Sequence, residues 1–246
     1  MIPNTMRSQR ILPTLATALS LAVSAMAPAG RAALINVTNP GFESPALANG
    51  TFNTDVLPTG WSTYGYVDVF AGRNLGVLNP ATTVLYAEPV PEGSNVGVVF
   101  LLTGGPTESG LQQTLADTLH VGMTYTLNVQ VGNIAPDGGP FNFTGFPGYR
   151  VDLMAGDQLI ATDNNSLLPG EGRFLQSTVT AVIGASHPAA GLPLGIRLVS
   201  LDGPTGIEVN FDNVRLEAVA VPEPAATAAL VAGGLVVFAW IRRRHA

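Results

Sequence analysis

The chain contains no cysteine, which excludes a disulfide framework and thiol chemistry and leaves the fold to rest on its apolar core. Lysine is absent too: all 11 basic residues are arginine. Six of those arginines lie in the terminal segments, so Arg73, Arg150, Arg173, Arg197 and Arg215 face 16 acids in the middle of the chain, a balance of −11. Such a surface argues against nucleic acid as a partner, because phosphate binding needs a basic face. Histidine is scarce. His120 and His187 sit beside turn residues, and neither lies in a metal-ligand or triad spacing.

The middle of the chain reads as all-β. Thr124 to Val131 alternates throughout, with Tyr125, Leu127, Val129 and Val131 on one face and Thr124, Thr126, Asn128 and Gln130 on the other. Comparable runs occur at 64–70, 95–102, 149–154, 158–162, 174–183, 194–201 and 207–216, separated by Gly, Pro, Asn and Asp clusters. Ala155-Gly156-Asp157 reads as a tight hairpin turn. With no amphipathic helix among them, these runs predict an antiparallel β-sandwich or closed barrel over residues 33–219, a length that buries roughly 70% of the unfolded surface. In the last run Ile207, Val209 and Phe211 share a face, whereas Val214 and Leu216 come one step out of phase. A bulge near Asp212-Asn213 restores the alternation and turns the Asp212 carboxylate inward.

The two ends read as addresses. Arg7 and Arg10 precede an apolar stretch, and small residues offer cleavage after Ala29 or Ala32, so residues 1–32 read as a secretory signal peptide. Residues 220–246 hold Val221-Pro222-Glu223-Pro224, an uncharged run over 225–241, and Arg242-Arg243-Arg244. That run is long enough for a minimal membrane span of roughly 25 Å, with the arginines on the cytoplasmic side. The three elements together resemble the PEP-CTERM sorting signal of Gram-negative bacteria. The resemblance implies processing by an exosortase, a transient inner-membrane anchor, and delivery to a cell surface or extracellular matrix rich in exopolysaccharide or biofilm.

Asn39-Pro-Gly-Phe-Glu43, Gly60-Trp61, Leu111-Gln-Gln-Thr-Leu115 and the closing strand resemble jelly-roll domains of the carbohydrate-binding-module type. The resemblance implies that Glu43 and Asp212 contribute to a structural calcium site; capping and hydrogen bonding is the alternative reading of both. No other cofactor is required. For glycan binding the candidates are Tyr64, Tyr66, Phe141, Phe143 and Phe146, since aromatic faces stack on sugar rings, although three phenylalanines in one loop also serve to cover the end of a sandwich. Trp61 reads as core. Glu88, Glu92, Asp137 and Asp202 lie in Pro/Gly-rich loops and read as surface solvation. The expectation is therefore an exported, non-catalytic binding or structural module, with extracellular polysaccharide as its ligand. The alternative is a polysaccharide-processing enzyme with an acidic active site.

Overall fold

In the computed structural model, residues 31–65, 73–101, 107–137, 139, 141–201 and 205–221 are described. Residues 1–30 of the expected signal peptide, Tyr66, Pro222-Glu223-Pro224, the apolar run 225–241 and the arginines 242–244 lie outside these residues. Among the described residues no helix is long and apolar enough to cross a membrane.

Among the described residues twelve strands form two antiparallel sheets: β1 (Ala33–Ile35), β2 (Phe52–Asn53), β3 (Ser62–Gly65), β4 (Arg73–Leu78), β5 (Val96–Leu101), β6 (Glu108–Thr118), β7 (Met123–Asn133), β8 (Tyr149–Ala155), β9 (Gln158–Asn164), β10 (Arg173–Val182), β11 (Pro193–Leu201) and β12 (Glu208–Ala220). One sheet runs β10-β7-β12-β5-β4-β2, with β1 beside the second half of β12; the other runs β3-β6-β11-β8-β9. The inward faces meet in one core. Tyr125, Leu127, Val129 and Val131 of β7 lie in it with Tyr149, Val151 and Leu153 of β8 and Leu194, Ile196 and Leu198 of β11, the two-residue period that the alternation dictates. The turn at Gly156-Asp157 joins β8 to β9, with Ala155 opposite Gln158.

Two strands depart from simple alternation for identifiable reasons. In β6 an inward position holds Gln113, which is buried and stands in for a strand partner: its Oε1 accepts from the Thr38 amide at 2.7 Å and its Nε2 donates to the Thr38 carbonyl at 2.9 Å. In β4 the interruption is Gly76, where a Cβ would lie 2.0 Å from the Asn53 carbonyl oxygen of the neighbouring strand.

The phase change in β12 is a bulge. Its pairing with β7 shifts between Asp212 and Arg215, and Asn213 takes φ of 50°, a left-handed conformation that asparagine tolerates. Val209 and Phe211 before the bulge, and Val214 and Leu216 after it, therefore all reach the core. Glu208, Asn210 and Asp212 take the opposite, outer face of the sheet, so the Asp212 carboxylate does not turn into the sandwich as expected; it is buried instead beneath the loop that carries Glu92.

That outer face is not open to water. β5 is buried at every position, and its outward residues Val96, Val98 and Phe100 join Leu78, Leu85, Ile134 and Ile207 in a second apolar cluster. The segment 79–95 and the described residues of a second one, 134–137 and 141–147, lie over this cluster, tied down by backbone bonds from Ala135 N to Leu85 O (3.0 Å), Ala87 N to Gly172 O (3.1 Å) and Gly172 N to Asn133 O (2.8 Å). A strand apolar on both faces requires such a cover.

Phe211 fills the main core and Leu175 lies exposed on β10 of the same sheet. Urea denaturation is expected to show Phe211→Ala losing about 3–5 kcal/mol and Leu175→Ala losing less than about 1 kcal/mol.

Candidate functional site

Between the outer face of the larger sheet and its two covering segments lies a cavity of about 300 Å³. Its walls are aromatic, from Phe52, Phe100, Phe141 and Phe143, over an aliphatic floor that includes Leu78, Val98 and Ile134. Phe141 meets Phe100 edge to face at 5.3 Å and 77°, and lies 6.3 Å from Phe143. Four polar residues interrupt this lining: Thr54, Asn74, Asp137 and Glu208.

Glu208 is the buried one. It is 6% exposed, it pairs with Phe100 across the β12–β5 ladder, and it reaches the cavity from beneath. Oε1 accepts from Asn210 Nδ2 at 2.9 Å, and Oε2 has no protein donor among the described residues. Burial pushes its pKa up to about 7; the Asn210 bond opposes the rise, and the charge of Asp137 adds to it. A carboxylic acid that is partly neutral near pH 7, in an apolar pocket, can both deliver a proton and take one back. Asp137, by contrast, is exposed, with Oδ1 accepting from the Gly139 amide at 2.8 Å.

Asp212 lies four residues further along the strand, fully buried. Burial lifts its pKa to about 8, the amides of Glu92 and Asn213 work against the shift, and the like charges of Glu92 and Glu43 reinforce it. Oδ2 accepts from Glu92 N at 2.8 Å and Oδ1 from Asn213 N at 2.7 Å. Glu43 serves the same loop, its Oε1 accepting from the amides of Ser94 and Asn95, each at 2.8 Å. Glu92 itself pairs with Arg215 at 2.6 Å. Among the described residues no group of three or more His, Cys, Asp or Glu side chains is arranged to hold a metal ion.

The aromatic candidates separate. Phe141, 51% exposed, and Phe143 line the cavity, whereas Phe146 is buried in the main core beside Tyr149. Tyr64 stands on the outer face of the other sheet. Its hydroxyl donates to Glu108 Oε1 at 2.8 Å and the Arg197 guanidinium lies over its ring at 4.6 Å, so an arginine already occupies a face that a sugar would need. Neither His120 nor His187 lines the cavity. Glu208 and Phe100 belong to the site without any motif that marks them. The signal available was the pair of strands itself: Glu208, Asn210 and Asp212 form the polar side of β12, next to a strand that has no polar side.

No curated protein matches the chain. The HpiC1-like family model, described as HpiC1 cyclase, matches residues 33–217. The solved structure of the Stig cyclase Fisc from Fischerella sp. TAU, in complex with (3Z)-3-(1-methyl-2-pyrrolidinylidene)-3H-indole, is 37% identical with a TM-score of 0.72, over 78% of this chain and 100% of that one. A cyclase from Fischerella sp. TAU in complex with 4-(1H-indol-3-yl)butan-2-one is 38% identical with a TM-score of 0.71, over 78% and 100% of the two chains. An apo cyclase from Fischerella sp. gives 36%, 0.71, 78% and 98%.

These matches correct the functional expectation. A PEP-CTERM-sorted, non-catalytic module with a carbohydrate-binding-module-like domain, an exosortase partner and a biofilm role is not what the domain resembles, and neither is a polysaccharide-processing enzyme. The tail motif lies outside the matched residues, and a short sorting pattern carries no information on the chemistry of the domain before it. The motifs that suggested sugar binding serve packing: Trp61 is buried against Phe42 at 5.3 Å, its Nε1 donating to the Asn39 carbonyl at 3.2 Å. Asp137, read as surface solvation, lines the cavity. An acid held in an aromatic cavity is enzyme architecture, and the chain belongs to the HpiC1-like cyclase family.

Proposed function

We propose that this chain catalyses the acid-triggered cyclisation of an indole-class substrate bound in the aromatic cavity, with Glu208 as the proton donor. The observation that carries the reading is the burial of a single carboxylic acid, poised near neutrality, among phenyl rings. The indole ligands of the related Fischerella cyclases support the substrate class. A bicyclic aromatic with a short side chain suits a cavity of about 300 Å³.

The chemistry balances without a co-reactant. Oε2 of Glu208 gives its proton to an unsaturated atom of the substrate, and the cation so formed is attacked by a π bond of the same molecule, which closes the ring. A proton then leaves the product and returns to the carboxylate, so substrate and product are isomers. The faces of Phe52, Phe100, Phe141 and Phe143 stabilise the passing positive charge, and their bulk keeps water from quenching it. Thr54 and Asn74 supply polar groups that can meet an indole N–H.

A structural calcium ion at Glu43 and Asp212 belongs to the same proposal. The donor set is all oxygen, which suits a hard cation. It includes the Asn95 Oδ1, buried without a hydrogen-bond partner beside Glu43, and the Asp212 carboxylate, buried without a cationic partner. The ion would hold the 92–95 segment onto β12.

Two experiments test these readings. Purified protein is incubated with a panel of 3-alkenyl indoles and the products are separated by chromatography with mass detection. Wild type is expected to yield an isomer of unchanged mass, and Glu208→Gln is expected to lower kcat/KM by about 10²–10⁴-fold. Retained turnover in that variant would remove Glu208 from the mechanism. The same variant reports on stability. Because folding raises the Glu208 pKa from 4.5 to about 7, its contribution is complete below pH 4.5 and is lost as pH rises through 7. The wild type should therefore lose on the order of 3 kcal/mol relative to Glu208→Gln across that window, read by urea denaturation. For calcium, thermal melting is compared with and without excess chelator. The midpoint is expected to fall by several degrees on chelation in the wild type and to be insensitive in Asp212→Asn; equal midpoints in the wild type would return Asp212 and Glu43 to a purely hydrogen-bonding role.

A further inference from the structure

We infer that Asn210, anchored by Tyr86, is a positioning residue that fixes the orientation of the Glu208 carboxyl and directs its proton to Oε2. The inference rests on the assignment of Glu208 as the acid and adds how that acid is held.

Asn210 is wholly buried, and one of its terminal atoms lies 3.3 Å from the Gly97 carbonyl oxygen. A carbonyl only accepts, so the atom facing it must be the amide nitrogen; the reverse orientation would set two acceptors against each other. The second hydrogen of that nitrogen points to Glu208 Oε1 at 2.9 Å. Oε1 accepts that bond best as the carbonyl oxygen, which favours the neutral acid with its proton on Oε2. The remaining group, Asn210 Oδ1, accepts from the Tyr86 hydroxyl at 2.5 Å. Every hydrogen-bonding site of the Asn210 side chain except one lone pair of Oδ1 is then used, and the amide has one orientation.

Tyr86 is itself locked. It comes from the covering segment 79–95, and its ring stacks on Phe174 at 4.6 Å and 26°. Both rings lie on Gly132 of β7, where a Cβ would come 2.4 Å from Phe174 and 2.8 Å from the Tyr86 hydroxyl. Burial, with the charges of Glu208 and Asp212, holds the phenol well above its ordinary pKa, so the hydroxyl stays a donor at any working pH. Among the described residues the ionisable groups around Glu208 are thus Asp137 from the second covering segment, Tyr86 through Asn210, and Asp212 further along β12; the cavity-lining residues Asn74, Leu78, Val98 and Phe100 of β4 and β5 are uncharged, and no arginine or histidine is among the described lining residues. The Tyr86–Asn210 pair is the means by which a covering segment reaches the acid.

The test uses 4-(1H-indol-3-yl)butan-2-one as a binding probe, because its ketone accepts a hydrogen bond from neutral Glu208 and loses that bond when Glu208 ionises. Its Kd is measured from pH 5 to 9 on the full chain in wild type, Asn210→Leu, Tyr86→Phe and Glu208→Gln. Wild type is expected to weaken through a midpoint near 7. Asn210→Leu, which removes the donor that favours the carboxylate, is expected to move the midpoint up by about one pH unit, and Tyr86→Phe to move it the same way by less. A midpoint in Asn210→Leu equal to that of the wild type overturns the inference, and if that variant does not fold, an unmoved midpoint in Tyr86→Phe overturns it. Glu208→Gln separates the two levels: a pH-independent Kd there upholds Glu208 as the titrating group whatever Asn210 does, whereas a retained wild-type midpoint sinks the acid assignment itself.

Discussion

Desolvation of the outer side of β12 is the constraint on which this protein depends. A carboxylic acid in water is ionised at neutral pH and useless as a proton donor to a weakly basic carbon or imine. Placing Glu208 under two loop segments, against a strand apolar on both faces, raises the cost of its charge until the neutral form persists near pH 7. The same cover carries Phe141 and Phe143, so the buried acid and the aromatic cavity arise from one packing arrangement.

The bulge at Asp212–Arg215 makes this compatible with a stable core. Without the extra residue, either Val209 and Phe211 or Val214 and Leu216 would face away from the opposite sheet. With it, the chain keeps the core continuous on one side and carries Glu208, Asn210 and Asp212 in sequence on the other. The two acids of that strand then have different surroundings. Glu208 sees phenyl rings and one amide donor, whereas Asp212 sees backbone amides and two further carboxylates. The first surrounds a carboxyl with apolar rings, and the second gathers oxygen atoms around one.

Much of the sandwich was legible from residues. β7 alternates cleanly because one of its faces lies in the core, and the β12 bulge announced itself as a slip of phase. β4 and β6 did not, because Gly76 and the inward Gln113 break the pattern for reasons that exist only in three dimensions: a neighbouring carbonyl in the first, a missing strand partner in the second. The site was hidden for a related reason. Alternation shows that Glu208 faces away from the core but not what lies over it, and the Pro/Gly-rich segments that do so read as solvated loops. Phe141 and Phe143 were visible as a cluster, yet their role came from the strand beneath them and not from their own spacing. The carbohydrate reading is overturned by the match to the HpiC1-like cyclase family, and among its candidate residues Tyr64 is already stacked with Arg197 and Phe146 lies in the core.

The account turns on the protonation state of one side chain. The most direct measurement is a ¹³C NMR titration of the Glu208 side-chain carboxyl in otherwise wild-type protein, with the resonance assigned by its loss in Glu208→Gln. The account predicts a carboxyl that remains largely neutral at pH 6 and titrates near 7. Titration in the ordinary glutamate range, between about 4 and 5, would contradict it.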